Sequence, residues 1–297
     1  MLFRSLIVAH ELFMTPTAMM ADYVLPGDAF SERNHIADTW SWTTRLGLSQ
    51  KMAEPPEQAS NSYQFWRDLA VRFGFEEWFP WSTHDEVLDY RLSRSGRSFS
   101  DFEARGFMEI PPMRYRKYRK TGFATPSGKV ELSSSVLGDL GFDPLPYFRP
   151  GPATSEEFPY LVFNGVREDP FFQTGQRNIK QLRDRCPVPR IFMHPDDAKR
   201  EALTDGEWIE LQTAYGAVSA ELSVQPNMKT GHLRVPHGWW YPEATDTETL
   251  AGAFLSSDAV LCSDDDELLD YEQGVPHFKG FPGRVVKAIK PEVIGAA

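Results

Sequence analysis

Two polar turns carry the residue types needed to hold a flat, phosphate-bearing ligand. Asn164-Gly165-Val166-Arg167 follows the apolar stretch YLVF, and Gln173-Thr174-Gly175-Gln176-Arg177-Asn178 comes shortly after it. Side-chain amides hydrogen-bond heterocycles, Arg pairs with phosphate, and glycine lets backbone N–H groups approach an anion. The same residues also make an ordinary polar loop in which Thr174 caps a short helix. Farther on, Val235-Pro236-His237-Gly238-Trp239-Trp240 sets an imidazole and a glycine turn beside two indoles, which together can stack on and hydrogen-bond a flat ring. One indole is expected to pack inside; Trp239 is kept with His237 and Gly238 as a candidate contact.

Near the N-terminus, His10, Thr15 and Thr17 lie where a strand turns into a helix, a usual place for ligand contact in an open α/β sheet. They serve equally well as helix caps. No acid–base pair or nucleophile triad can be defended, and there is neither a Gly-x-Ser-x-Gly elbow nor a Walker phosphate loop. Cys186 and Cys262 stand far apart and outside any CxxC pair, so this chain alone cannot build a thiolate-held zinc or iron–sulfur site. The Asp264-Asp265-Asp266-Glu267 run lacks the alternating ligands and central glycine of a calcium loop and reads as a solvated acidic turn.

Composition narrows the classes further. With 297 residues, 41% hydrophobic and 25% charged, the chain can bury one large core or two modest ones. A net charge of −11 argues against nucleic acid as a partner, the one basic run being Arg114 to Lys120. That run reads as a solvated strand or loop face, with a cofactor-phosphate or interface patch as the alternative. No apolar run reaches the roughly 18 residues of a membrane span. No signal peptide is read in LFRSLIVAHELF. As it stands the chain reads as cytoplasmic, and a periplasmic longer parent stays open.

The elements that must position these residues follow from periodicity. An α/β piece is expected over 1–75, a connecting region over 76–150 and a β-rich domain over 151–297. In the first, LIVA reads as a strand, Thr17 to Tyr23 as a short helix behind Pro16, and Asn61 to Phe73 as an amphipathic helix ended by Gly74. A helix is expected at Asp85 to Leu92 and a hairpin at Gly122 to Ser134, turning on Pro126-Ser127-Gly128. From Tyr160 onward YLVFNG, RIFM, WIELQT, AVSAELSV, HLRVPH and RVVKAI read as short strands of a barrel, interrupted by a helix begun by His194-Pro195.

Several of these segments together resemble the molybdopterin-dependent oxidoreductases of the dimethyl sulfoxide reductase family. The resemblance is carried by HELFMTPTAMMADYVLP, the TPSGKVE segment, the series HPDDA, TDGEWIEL, YGAV and TGHLRVPHGW, and the PHGWWYPE variant, which looks most like the acetylene hydratase-like and thiosulfate or polysulfide reductase-like branches. It implies a C-terminal double-psi-barrel-like molybdopterin dinucleotide-binding domain behind an α/β fragment. The implied cofactor is molybdopterin guanine dinucleotide, two copies holding Mo or W, with any iron–sulfur cluster and the metal ligand on an N-terminal portion. It also implies two more contacts in the segments FLSSDAVL and GVPHFKGFPG, namely Asp258 and Lys279, and one after the ADYVLP motif, Glu32, toward the guanine end. Two departures stand out. Asp258 occupies the place where Asn is expected, and an ionised acid accepts but cannot donate. Ala202 stands where relatives commonly carry Gly, which costs about 1 kcal/mol if the backbone is left-handed there.

The expected function is therefore the cofactor-binding segment of an oxidoreductase transferring an oxygen atom or an electron pair at the metal, inactive by itself. Its expected partners are the missing N-terminal half or a complementary chain, and an iron–sulfur electron-transfer subunit. A standalone pterin-dinucleotide-binding or assembly module, or an inactive remnant, is the alternative.

Overall fold

The computed structural model describes residues 6–37, 45–109, 114–148, 150–263, 265, 269–270, 274–276 and 279–292. Most of the acidic 264–267 run and the end of the chain lie outside them. Contacts gather into two compact units, Met1–Glu131 and Leu132–Ala297.

In the first unit β1 (Val8–Glu11) and β2 (Tyr23–Pro26) pair in parallel through α1 (Pro16–Met19). The Thr15 hydroxyl caps α1 by accepting from Ala18 N at 3.2 Å, and Pro16 fills the first turn, where its missing N–H is harmless. The helix stops short of Tyr23 because Asp22 and Tyr23 both donate their N–H to Ile7 O, which draws the chain into β2. A separate antiparallel sheet orders β3 (His35–Ala37), β4 (Arg45–Ser49) and β5 (Phe107–Glu109) side by side.

Between them run α2 (Ser62–Arg72), capped by Asn61, then α3 (His84–Leu92) and α4 (Phe99–Arg105). Leu88 and Leu92 of α3 and Phe99 and Phe102 of α4 close over Ile36, Leu46, Leu48 and Met108 of the sheet. The basic run contains a helical turn, Tyr118–Thr121, with Tyr115 exposed beside it.

The hairpin expected at Gly122 to Ser134 does not form. Phe123 N bonds Gly128 O and the Thr125 hydroxyl bonds Lys129 O, making a tight local turn with no strand on either side. Val130 and Leu132 alternate as a strand should, but both are exposed, and an alternating apolar face with nothing beneath it gains nothing from pairing.

In the second unit all six expected strands form and close into one barrel. They are β6 (Tyr160–Val166), β7 (Arg190–Met193), β8 (Trp208–Gln212), β9 (Ala217–Val224), β10 (His232–Pro236) and, after the two-residue ladder of β11 (Leu269–Asp270) and β12 (Val275–Pro276), β13 (Lys279–Lys287). Their order around the barrel is β10-β6-β13-β8-β9-β7, with β10–β6 and β7–β9 parallel and the other pairs antiparallel. Alternate residues point inward, Ile191, Met193, Ile209, Leu211, Leu222 and Leu233 being essentially inaccessible. Closure leaves the barrel without a free edge.

Ala202 adopts a left-handed backbone, φ 54°, after the helix Pro195–Arg200, so the strain that its sequence position warned of is present. The chain carries it because the flanking structure is held from both sides. The buried Asp197 carboxylate accepts from Gly231 N at 2.7 Å and from Arg200 at 2.7 Å.

Candidate functional site

Strand direction decides where the candidate residues of the second unit meet. Because β10 and β6 run in parallel, with Pro236 opposite Val166, the turns that follow them emerge at the same end of the barrel. Asn164-Gly165 stands in the last residues of β6 itself, with Gly165 at φ 71°, and His237-Gly238 opens the turn after β10. The antiparallel β13 begins at that end too, with Lys279 opposite Phe163, so its exposed ammonium starts one residue from Asn164.

The end of β6 and the turn after β10 are tied together by a buried acid. Asp258, 1% exposed, opens the 3₁₀ turn Asp258–Leu261. Its Oδ1 accepts from Gly238 N at 2.8 Å, and its Oδ2 accepts from Gly165 N at 2.9 Å and lies 3.0 Å from His237 Nδ1. A carboxylate this deep would be strongly destabilising without partners, and these supply them. Asn164 Nδ2 donates to Asp258 O at 3.3 Å and to Cys262 Sγ at 3.2 Å, leaving its buried Oδ1 without a partner among the described residues. The 3₁₀ turn is seated by the β8–β9 connection: the Thr213 hydroxyl donates to Leu261 O at 3.0 Å, and Gly216 lies so close that a Cβ there would come 2.4 Å from Val260 O.

A second tie runs through Arg177, also 1% exposed. Its guanidinium donates to Gly238 O, His237 O and Gln173 O at 3.1, 2.6 and 3.2 Å, and its charge lies 4.6 Å from the centre of the Phe171 ring and 4.5 Å from that of Trp239. Burial lowers its pKa to about 10. Arg177 thus holds three backbone carbonyls through Nε and Nη2, while its buried Nη1 has no partner among the described residues. Trp239 is fully buried against Phe171 and Tyr241 and offers no face to a ligand. Trp240 is buried as well, its indole N–H donating to Thr174 O at 2.9 Å. Gly238 is required by its neighbours, for its φ is 61° and a Cβ would fall 2.1 Å from Thr174 Cγ2.

What remains facing outward is a rim. Arg167, Thr174, Gly175, Gln176 and Lys279 are exposed, Gln173 and the His237 ring half-exposed. Arg167 lies 5.2 Å over the ring of the exposed Phe172. Gln173 and Gln176 both sit at positive φ, 55° and 69°, which folds the QTGQR loop back on itself. Two exposed cations, two amides, a hydroxyl and one imidazole edge at the mouth of a barrel suit an anionic ligand that also carries polar rings.

The first unit holds the other candidates. The His10 ring stacks on Phe65, centroids 5.1 Å apart, with Nε2 3.3 Å from the Ser60 hydroxyl. Thr15 is engaged as the α1 cap, whereas Thr17 is exposed. Glu32 turns back to accept from Ala29 N at 2.8 Å and lines a cavity of about 330 Å³ with Asp28, Asn34, Ser60 and Asp85. His84 also lines it, and burial lowers the His84 pKa. Asp28, Ser60 and His84 carry no motif of their own and were invisible to pattern reading; so was the bond from Asp258 across two turns. Among the described residues no three His, Cys, Asp or Glu side chains gather to hold a metal ion.

Barrel and rim together define a small six-stranded β-barrel domain with a polar, cation-bearing rim, and comparison with known proteins gives the class its name. Residues 161–263 match the Molydopterin dinucleotide binding domain. The chain is 40% identical to acetylene hydratase of Syntrophotalea acetylenica over 296 residues, 97% of this chain and 40% of that protein. The solved acetylene hydratase from Pelobacter acetylenicus superposes with a TM-score of 0.88 at 40% identity, over 96% of this chain and 41% of that one. The thiosulfate reductase molybdopterin-containing subunit PhsA of Salmonella typhimurium is 23% identical over 79% of this chain and 34% of its own length. The chain belongs to the dimethyl sulfoxide reductase family of molybdopterin proteins. It spans about 40% of the length of the acetylene hydratases it matches.

Proposed function

We propose that this chain is the cofactor-closing portion of a bis-pterin molybdenum or tungsten enzyme. The observation that carries the reading is the convergence of Asn164-Gly165, the QTGQR loop, His237-Gly238 and Lys279 at one end of the barrel. The residues fit a pterin guanine dinucleotide. Lys279 and Arg167 would meet phosphate, Gln173, Thr174 and Gln176 the polar ring edges, and His237 a ring N–H. Gly165 leaves open space where a side chain would otherwise stand. Asp258 and Arg177 act beneath this surface, holding the turns in place. When bound, the cofactor would supply a metal at which oxygen-atom, electron-pair or hydration chemistry could occur. The chain's own part is to bind, orient and shield it.

The two parallel pairs, β10–β6 and β7–β9, support a double-psi reading of the barrel. In the first unit the β1–α1–β2 crossover supports a piece of a larger α/β sheet. Parallel strands are normally covered on both faces, yet all four residues of β2 are exposed and Val8, Leu12, Phe13 and Met14 are open beside them. A complementary polypeptide, in the same chain or another, would add strands there and bring the metal ligand and any iron–sulfur cluster. The cavity beside Glu32 and Asp28 is read as the place of one guanine. A hydratase rather than a reductase parent is a second reading, favoured by 40% identity to acetylene hydratase against 23% to thiosulfate reductase.

Native mass spectrometry tests the proposal on protein purified from cells supplied with molybdate or tungstate, with and without a co-expressed complementary polypeptide. Retention of pterin guanine dinucleotide and metal by the assembled form is expected. An assembled form that carries neither would refute it.

A further inference from the structure

We propose that Asp258 is a positioning residue that locks His237 in one tautomer, with the proton on Nδ1, so that Nε2 faces the ligand as a hydrogen-bond acceptor. Each oxygen of the Asp258 carboxylate already takes a backbone N–H, Gly238 N on Oδ1 and Gly165 N on Oδ2. A carboxylate so placed is an acceptor only, so its 3.0 Å contact with His237 requires Nδ1 to donate. Burial of Asp258 keeps water from competing for that contact. The His237 backbone is held as well, through the Arg177 bond to its carbonyl.

Among the described residues Nε2 has no partner, and the ring is 34% exposed on the rim. Neutral imidazole protonated at Nδ1 leaves a lone pair at Nε2, which selects an N–H or O–H on the ligand over a carbonyl. The exocyclic amine and ring N–H groups of a pterin are donors of that kind. An Ala at 258 would remove the lock: Nδ1 would lose the acceptor that holds its proton, and the proton would be free to exchange between Nδ1 and Nε2. Residue 258 thereby sets the polarity that position 237 shows to the ligand, without touching the ligand.

The tautomer rests on geometry alone; the assignment of the donor to a pterin rests on the function proposed above. The test is two-bond ¹H–¹⁵N correlation on the full chain labelled at its seven histidines, with His237→Gln assigning the signal, at a pH well above the roughly 6.5 of free imidazole. The parent chain should show a protonated Nδ1 and a pyridine-like Nε2, and Asp258→Ala tautomers averaged between the two nitrogens. A protonated Nε2, an averaged pair of tautomers or an imidazolium in the parent chain overturns the proposal, whether or not the variant folds; so does an unchanged tautomer in a folded Asp258→Ala. Titration with a reduced pterin should then shift Nε2 without protonating it. Binding that leaves Nε2 unmoved overturns the ligand assignment, whereas absence of any binding counts against the cofactor reading and leaves the tautomer result standing.

Discussion

The two units of this chain bury their apolar residues to very different extents. The barrel of the second unit gathers one side of every strand, with Ala198, Leu203 and Leu261 from its connections, into a shared core of sixteen buried residues, and its strands pair all the way round. The first unit has a five-residue buried cluster and a parallel pair with exposed apolar side chains on β2. A closed sheet satisfies its backbone and apolar surface by itself; an open parallel pair does neither. Independence therefore belongs to the barrel, and dependence on other strands to the first unit.

The sharpest way to break that contrast is to separate the units. Residues 132–297 expressed alone should unfold in one cooperative transition, while residues 1–131 alone should bind a hydrophobic dye and give no sharp transition; a cooperative first unit would end the comparison. Within the intact chain, Leu211→Ala should lower barrel stability by about 2–5 kcal/mol, read by denaturant titration. Gly238→Ala should cost the barrel roughly 1–3 kcal/mol through its clash with Thr174, and adding Thr174→Ser should recover part of it. Ala202→Gly should go the other way, raising stability by roughly 0.5–1 kcal/mol as the left-handed strain is released.

The smallest effects are electrostatic and carry opposite signs in the two units. In the first, burial lowers the His84 pKa, so the unfolded chain takes up the proton first and stability falls as pH drops through the ordinary imidazole range. In the second, burial raises the Glu168 pKa, so the unfolded chain releases its proton first. Barrel stability then falls as pH rises from the ordinary carboxylate range through the raised value. Glu168→Gln should flatten that slope and leave the acid-side loss of the first unit in place, which fluorescence-monitored unfolding across pH can check.

Much of this architecture was legible in the residues. Six alternating apolar runs between turn signals named every strand of the barrel, Pro195 and its acidic neighbours named the helix between them, and the PHGW, NGVR and TGQR segments marked residues that the fold brings to one end of the barrel. Local pattern suffices there because alternation, capping and glycine turns are properties of neighbouring residues. It failed where the outcome depended on what lay opposite. Val130 and Leu132 alternate like a strand and have no surface to cover. β5 and α4 sit in an aromatic, charged stretch and form because Ile36 and its neighbours give Phe99 and Phe102 a core.

The same division runs through the site. Residue type marked Arg177 and Trp239 as groups fit for a ligand and the family resemblance marked Asp258, and sequence could carry them no further. Parallel pairing of β6 with β10, strands more than sixty residues apart in the chain, brought the glycine end of β6 and the glycine turn after β10 to one end of the barrel and left Asp258 and Arg177 as groups able to bond the buried backbone there. Which side chains stand on the rim and which lie buried beneath it was decided by that long-range pairing, since hydrogen-bond satisfaction in a buried turn depends on every chain that crosses it.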